Sequence, residues 1–293
     1  MEKEIENFIQ YMRTQKKRSE NTCVSYKRDL QKLNLFCKSH QIEKTDKINA
    51  AFIQSYIFWL EKNNLSSASV VRHMSTLNVF FAYELAQGKI KCNPMDDLKK
   101  PKVERKSPVV LNEFQVEILL GMPDIDTVKG CRDKAMLELL YATGVRVNEL
   151  LALKLKDLNM ELSYITCGNA GKQRVIPFGK YAGQALSRYL EQTRGKLAKD
   201  KSEFLFVSLQ GKKMSRQGFW KILKNYAEMS GIEEEIAPTT LRHTLAFQLV
   251  ENGADLHVVQ EILGYVDMNS TQVYAEMSKR KIREVYNKTH PRV

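Results

Sequence analysis

Three short segments of this chain carry side chains whose types and spacing suit chemistry. The first runs from Leu140 to Leu150 (LYATGVRVNEL). Arg146 and Glu149 are three apart, so on a helix they pair, and pairing orients the guanidinium. An ion pair of that kind standing alone on a surface contributes little. The second segment, Pro238 to Thr244 (PTTLRHT), sets Arg242 and His243 ahead of an apolar helix. The third runs from Glu261 to Tyr265 (EILGY) and on through Ser270 to Tyr274 (STQVY). No segment specifies a reaction by itself. The chain's charge adds one constraint: 46 Lys and Arg against 34 Asp and Glu leave a formal +12. Such a surplus suits a polyanionic partner, because basic side chains displace condensed counterions from nucleic acid. The surplus is uneven, with +8 of it in residues 1–108. The five cysteines are scattered without a C-x-x-C pair and the five histidines without an H-E-x-x-H spacing, so reduced thiols are expected and no metal is implied.

The elements that must position these residues divide into two groups. At 293 residues the chain exceeds what one core usually supports, and two domains are expected. Residues 1 to 90 read as helices. Tyr26, Leu30, Leu33 and Phe36 recur at steps of four and three, as do Val70, Met74, Leu77 and Phe81, and each set makes one apolar stripe. Phe52, Ile53, Tyr56, Ile57, Trp59 and Leu60 mark a third helix, whose aromatics read as core rather than as platforms for bases. Asn93-Pro94 stops the helical pattern. The basic, twice proline-punctuated stretch 99–108 reads as a linker between a domain at 1–98 and another at 109–293. Beyond it, Glu113 to Met122, Lys129 to Thr143 and Arg146 to Leu153 read as helices. Tyr164 to Cys167 and Val175 to Phe178 read as a hairpin around Gly168 to Lys172, with Pro177 favouring an edge strand. No run of about 18 apolar residues occurs and the first twenty residues are highly charged, so neither a membrane span nor export is expected, and the reading is cytoplasmic.

Taken together and in order, the three segments resemble those of the tyrosine recombinases, the phage-integrase-like family, and most closely its Xer branch. Ala142 to Leu150 matches A-T-G-[LV]-R-x-x-E-L. Leu241 to Gly264 is similar to L-R-H-x-x-A-x-x-L-x-x-x-G-A-D-L-x-x-V-Q-x-x-L-G. The resemblance covers nearly the whole chain. It implies a mainly α protein of two domains: an all-α, SAM-like core-binding domain, and a mostly α catalytic-type domain with a small antiparallel sheet. It also implies site-specific DNA recombination or integration without metal or cofactor, in which a tyrosine attacks a phosphodiester, leaving a 3′-phosphotyrosine and a free 5′-hydroxyl. By position, Arg146 and Arg242 match the arginines that meet charge on the nonbridging oxygens, and Tyr274 matches the nucleophile. The implied partner is double-stranded DNA, clamped by the two domains. The implied assembly is a tetramer joined through the C-terminal helix that carries Lys279-Arg280-Lys281, with or without a related recombinase subunit.

At three positions the sequence departs from the family. Its hairpin usually reads G-K-G-x-K-x-R, the first lysine serving as acid for the leaving oxygen; here Asn169 takes that place in Gly168 to Arg174 (GNAGKQR). Thr239 replaces the histidine of P-H-x-L-R-H, and Tyr265 replaces the histidine or tryptophan that follows L-G. Loss of one general acid or base costs about 10²- to 10⁴-fold. Lys172, three positions along the same turn, is the candidate replacement acid; otherwise Lys172 and Arg174 read as phosphate contacts or as a solvated hairpin face. Tyr265 is also weighed as a rival nucleophile, while His243 reads as ordinary. Two outcomes stay open: a recombinase with weakened catalysis, and a catalytically lapsed DNA-binding accessory protein.

Overall fold

The computed structural model describes residues 1–101, 107–169, 172–198, 202–265 and 271–279; at Asn169 and Lys172 the backbone is described. The chain forms two compact units, Met1–Arg105 and Lys106–Val293, each with its own apolar core.

The first unit is helical: α1 (Glu2–Thr14), α2 (Glu20–Ser39), α3 (Ala50–Lys62) and α4 (Ser67–Ala86). Three starts are fixed by side-chain caps. Ser19, Asn49 and Ser66 accept from the backbone N–H groups of Thr22, Phe52 and Ser69, satisfying donors that a helix start leaves without partners. The apolar stripes face inward. Leu30, Leu33, Ile53, Tyr56, Leu77 and Phe81 are fully buried, and Trp59 and Phe52 pack against that core as expected. One buried carboxylate, Asp29, ties α2 to α4: it accepts from Thr76 Oγ1 at 2.9 Å and from Arg72, and lies 3.3 Å from His73 Nε2. A buried charge is tolerable only with such partners.

In the second unit α5 (Glu113–Gly121) leads into α6 (Val128–Thr143), which is buried along most of its length and serves as the unit's axis. The short α7 (Val147–Leu150) follows, then three antiparallel strands in the order β1 (Leu158–Asn159), β2 (Tyr164–Asn169), β3 (Lys172–Pro177). The hairpin matches the sequence reading, with β3 at an edge; β1 is an addition too short to carry a periodic signal. In the register, Ile165 faces Ile176, Cys167 faces Arg174 and Asn169 faces Lys172. Residues two apart share a face, so the buried Ile176 and Arg174 point the same way. The chain continues through α8 (Lys180–Arg188), a π-helical stretch (Tyr189–Arg194), α9 (Gly195–Ala198), α10 (Arg216–Met229), α11 (Pro238–Glu251), α12 (Leu256–Leu263) and a helix at 271–279, here α13. Helix α11 begins with proline at its first position, where the missing N–H has no helical partner to lose. The run Phe204 to Val207 forms isolated bridges to Lys154 and Lys213 rather than a strand. Among the described residues no helix is long and apolar enough to cross a membrane.

Candidate active site

The site is organised by the end of one helix. Helix α12 stops at Gly264, whose φ of 63° is left-handed, and its last carbonyls would otherwise lack donors. Three arginines from three different elements supply them. Arg174 on β3 donates from Nε to the Ile262 carbonyl at 3.1 Å, Arg242 on α11 from Nη2 to Leu263 at 2.6 Å, and Arg146 before α7 from Nη2 to Gly264 at 3.1 Å. The negative end of the helix dipole favours these cations. Gly264 is required there twice over, since a Cβ would lie 2.9 Å from the Arg174 guanidinium carbon and the backbone is left-handed.

Glu149 links two of the three. It accepts both Nη1 and Nη2 of Arg174 at 2.9 Å, and it lies 3.4 Å from Nη1 of Arg146. Its Oε2 also accepts the Arg146 backbone N–H at 2.8 Å. Burial raises the Glu149 pKa, but the Arg174 hydrogen bonds, the Arg146 N–H and the two guanidinium charges outweigh that and hold it below the usual carboxylate value. Two expectations change here. Arg146 is the extended residue that precedes α7, not part of a helix running to Leu153, so its pairing with Glu149 comes from the helix start. Arg174 is not on a solvated hairpin face. Its side chain is 15% exposed and its fork is engaged by Glu149 and Ile262, so it holds Glu149 and α12 in place.

Arg242 is buried. Besides Leu263 it donates to the Gly144 carbonyl at the left-handed end of α6 and, from Nε at 3.3 Å, to the Tyr265 hydroxyl. Its guanidinium carbon sits 4.5 Å from the centre of the Tyr265 ring, a cation–π stack. Three of its five N–H groups are thus used within the protein. Arg146, by contrast, is 48% exposed. Tyr274 on α13 is 1% exposed, its hydroxyl 3.2 Å from that of Tyr265 and 2.7 Å from Nδ1 of His243. Burial, then the neighbouring Tyr265, pushes the Tyr274 phenol above its ordinary pKa, with the Arg242 charge opposing. Burial, then Arg242, lowers His243 from the ordinary imidazole value.

A cleft of about 790 Å³ opens on this group, lined by Arg146, Thr239, Arg242, His243 and Tyr265, with Arg216 and Trp220 of α10 on its wall. Five residues singled out in the sequence therefore meet: Arg146, Arg242 and Tyr265 directly around the α12 terminus, Thr239 on the same cleft and Tyr274 behind Tyr265. Asn169 and Lys172 are opposite one another where β2 ends and β3 begins. Sequence reasoning passed over Arg216 and Trp220, and it took His243 as ordinary. Its place beside Arg242 does not show what His243 meets, because adjacent positions on a helix point about 100° apart.

Comparison with known proteins bears on the family and the fold. Residues 109–281 match the phage integrase family, and residues 5–88 match the phage integrase N-terminal SAM-like domain. The chain is 42% identical over 292 residues to the tyrosine recombinase XerD of Listeria innocua serovar 6a, spanning 98% of both chains. It is 38% identical over 296 residues to that of Oceanobacillus iheyensis, spanning 100% of this chain and 99% of the relative. Among solved structures, the XerA recombinase is similar at 27% identity and a TM-score of 0.56, covering 100% of this chain and 99% of that one. The XerH site-specific recombinase bound to palindromic difH substrate shares the fold at a TM-score of 0.79 and 21% identity, covering 96% and 82%. Two helical and mostly helical units, an arginine-bound helix end beside a buried tyrosine, and full-length matches on both units converge: the chain belongs to the phage integrase family, as a tyrosine recombinase of the Xer branch.

Proposed function

We propose that this recombinase binds double-stranded DNA and that Tyr274 is its nucleophile, with Arg146 and Arg242 holding the scissile phosphate. The observation that carries the reading is the convergence at one cleft of two fixed guanidinium groups and Tyr265, whose hydroxyl meets that of the buried Tyr274 behind it. Guanidinium suits the task because it stays charged and is held before charge develops on the nonbridging oxygens. Lys172, at the start of β3, supplies the proton to the departing 5′-oxygen in place of the family lysine that Asn169 has replaced. Tyr265 is a helper: its oxygen accepts from Arg242, and its ring stacks on that guanidinium. Each unit contributes to DNA binding, and the assembly is a tetramer on DNA, alone or with a related recombinase subunit. The C-terminal segment proposed to join its subunits, from Arg280 on, lies outside the described residues.

The test uses duplex DNA nicked beside the scissile phosphate, so that a cleaved strand cannot be resealed, with candidate sites drawn from the gene's neighbourhood. Wild-type protein is expected to leave a covalent adduct on a denaturing gel, Tyr274→Phe none, and Tyr265→Phe a reduced amount. An adduct that survives Tyr274→Phe and vanishes with Tyr265→Phe would transfer the nucleophile's role to Tyr265. A second reading, an accessory protein with lapsed catalysis, is favoured by Asn169, Thr239 and Tyr265 standing at three proton-handling positions. It is accepted if wild type binds the site without an adduct and the triple change to Lys, His and His restores cleavage.

A further inference from the structure

We infer that His243 is a catalytic residue of this recombinase, the base that takes the phenolic proton of Tyr274 as it attacks the phosphate. The inference rests on Tyr274 being the nucleophile. It starts from an omission in the site: Thr239 stands where the family keeps a histidine and Tyr265 where it keeps histidine or tryptophan, so neither position offers an imidazole to take up a proton near neutral pH. Yet the attacking phenol must lose one, and Tyr274 is buried, so bulk water is not at its oxygen. One imidazole does reach it. His243 Nδ1 lies 2.7 Å from the Tyr274 hydroxyl, within the reach required of a general base.

The polarity of the surrounding bonds fits that direction of transfer. Arg242 can only donate, and its Nε–H goes to the Tyr265 oxygen. With the ring proton of His243 on Nε2, Nδ1 can only accept. The two phenols between them then align in one sense, Arg242 to Tyr265 to Tyr274 to His243. Tyr274 on α13 contacts the ring, the Arg242 charge acts on it from the same helix, and Tyr265, Arg146 and Arg216 share the cleft that His243 lines. Burial, and after it the Arg242 charge, disfavours the imidazolium and keeps the ring neutral before attack. In the step itself the Oη–H bond of Tyr274 breaks and its proton passes to Nδ1. Oη bonds to phosphorus, the P–O5′ bond breaks, and the 5′-oxygen takes a proton from the acid assigned above to Lys172. Resealing runs the same transfers backward, so His243 returns its proton to Tyr274.

The variant His243→Asn tests this, because its side-chain oxygen can accept from the phenol near the place of Nδ1 but does not titrate. On the nicked substrate, wild-type adduct formation is expected to rise with pH along a limb below about 6.5 and then level off. In His243→Asn the plateau rate should fall about a hundredfold or more and the limb should disappear, with DNA affinity unchanged. Unchanged DNA affinity excludes a damaged fold and loss of the limb excludes a mere positioning contact, while a second substrate separates the base from the leaving-group acid. Sulfur in place of the bridging 5′-oxygen leaves without protonation, so it should relieve the defect of Lys172→Ala but not that of His243→Asn. An undiminished rate with the limb intact, or relief of His243→Asn by the sulfur substrate, would overturn the assignment to His243 alone. No adduct from wild type on a site it binds would overturn the nucleophile reading, and this inference with it.

Discussion

At the scale of single residues, the side chains proposed to meet substrate are held by others set behind them. Glu149 sits between Arg146 and Arg174 with four close contacts, so it fixes the exposed arginine while being fixed by the buried one. Replacing it by glutamine leaves the Arg174 charge without its partner, and a stability loss of about 2 to 3 kcal/mol is expected from denaturant unfolding. The pH dependence has a definite sign. The folded-state pKa of Glu149 lies below its unfolded value, so the stabilisation is fully present above that unfolded value near 4.5 and is lost as pH falls through the folded one. Glu149→Gln should therefore flatten part of the acid limb of wild-type stability between about pH 5 and the folded pKa. An acid limb identical in the two proteins would contradict this coupling. Adduct formation by the variant should fall more than DNA affinity does, because Arg146 loses its orientation rather than its charge.

At the scale of elements, two left-handed glycines let helix ends come close enough to share Arg242. Gly144 closes α6 at φ 58°, and a Cβ there would sit 2.5 Å from Leu263 and 2.9 Å from Leu245. Its carbonyl and that of Leu263 both accept from the same guanidinium. The substitution Gly144→Ala thus meets strain and overlap at once. Thermal unfolding is expected to report a loss of about 2 to 4 kcal/mol, and adduct formation to fall further than folding alone accounts for. Gly88→Ala is the control, since its φ of 68° carries the same backbone strain with open space around it. If the two substitutions cost the same, the packing around Gly144 contributes nothing.

At the scale of the molecule, the two units have separate cores and unequal charge. With +12 overall and most of the excess in residues 1–108, DNA affinity should depend steeply on ionic strength. A plot of log affinity against log salt should fall with a slope of several units for wild type and equally for Tyr274→Phe, because the phenol neutralises no phosphate. Arg146→Ala should lower that slope by about one. A slope near zero for wild type would count against a DNA partner altogether.

Sequence by itself determined the elements and the family. The stripes at Leu30, Leu33 and Phe36, the hairpin pairing of β2 and β3, and the ordered run from Ala142 to Tyr274 are local patterns, and local patterns survive in one dimension. It also marked where the chemistry departs, at Asn169, Thr239 and Tyr265, because those are identities rather than distances. Only the tertiary structure decided which way side chains face and what they meet. In β3, Arg174, Val175 and Ile176 follow one another, so alternation alone leaves open whether the arginine or the valine turns inward. The register with β2 puts Val175 at 62% exposure and Arg174 against Glu149. Ile262, Leu263 and Gly264 read as an ordinary helix end, yet their carbonyls receive arginines from residues 88, 21 and 118 positions away. His243 reads as ordinary beside Arg242, and its meeting with Tyr274 depends on how α11 and α13 pack. Such contacts are set by the closing of long loops around a shared core, which no spacing in the sequence encodes.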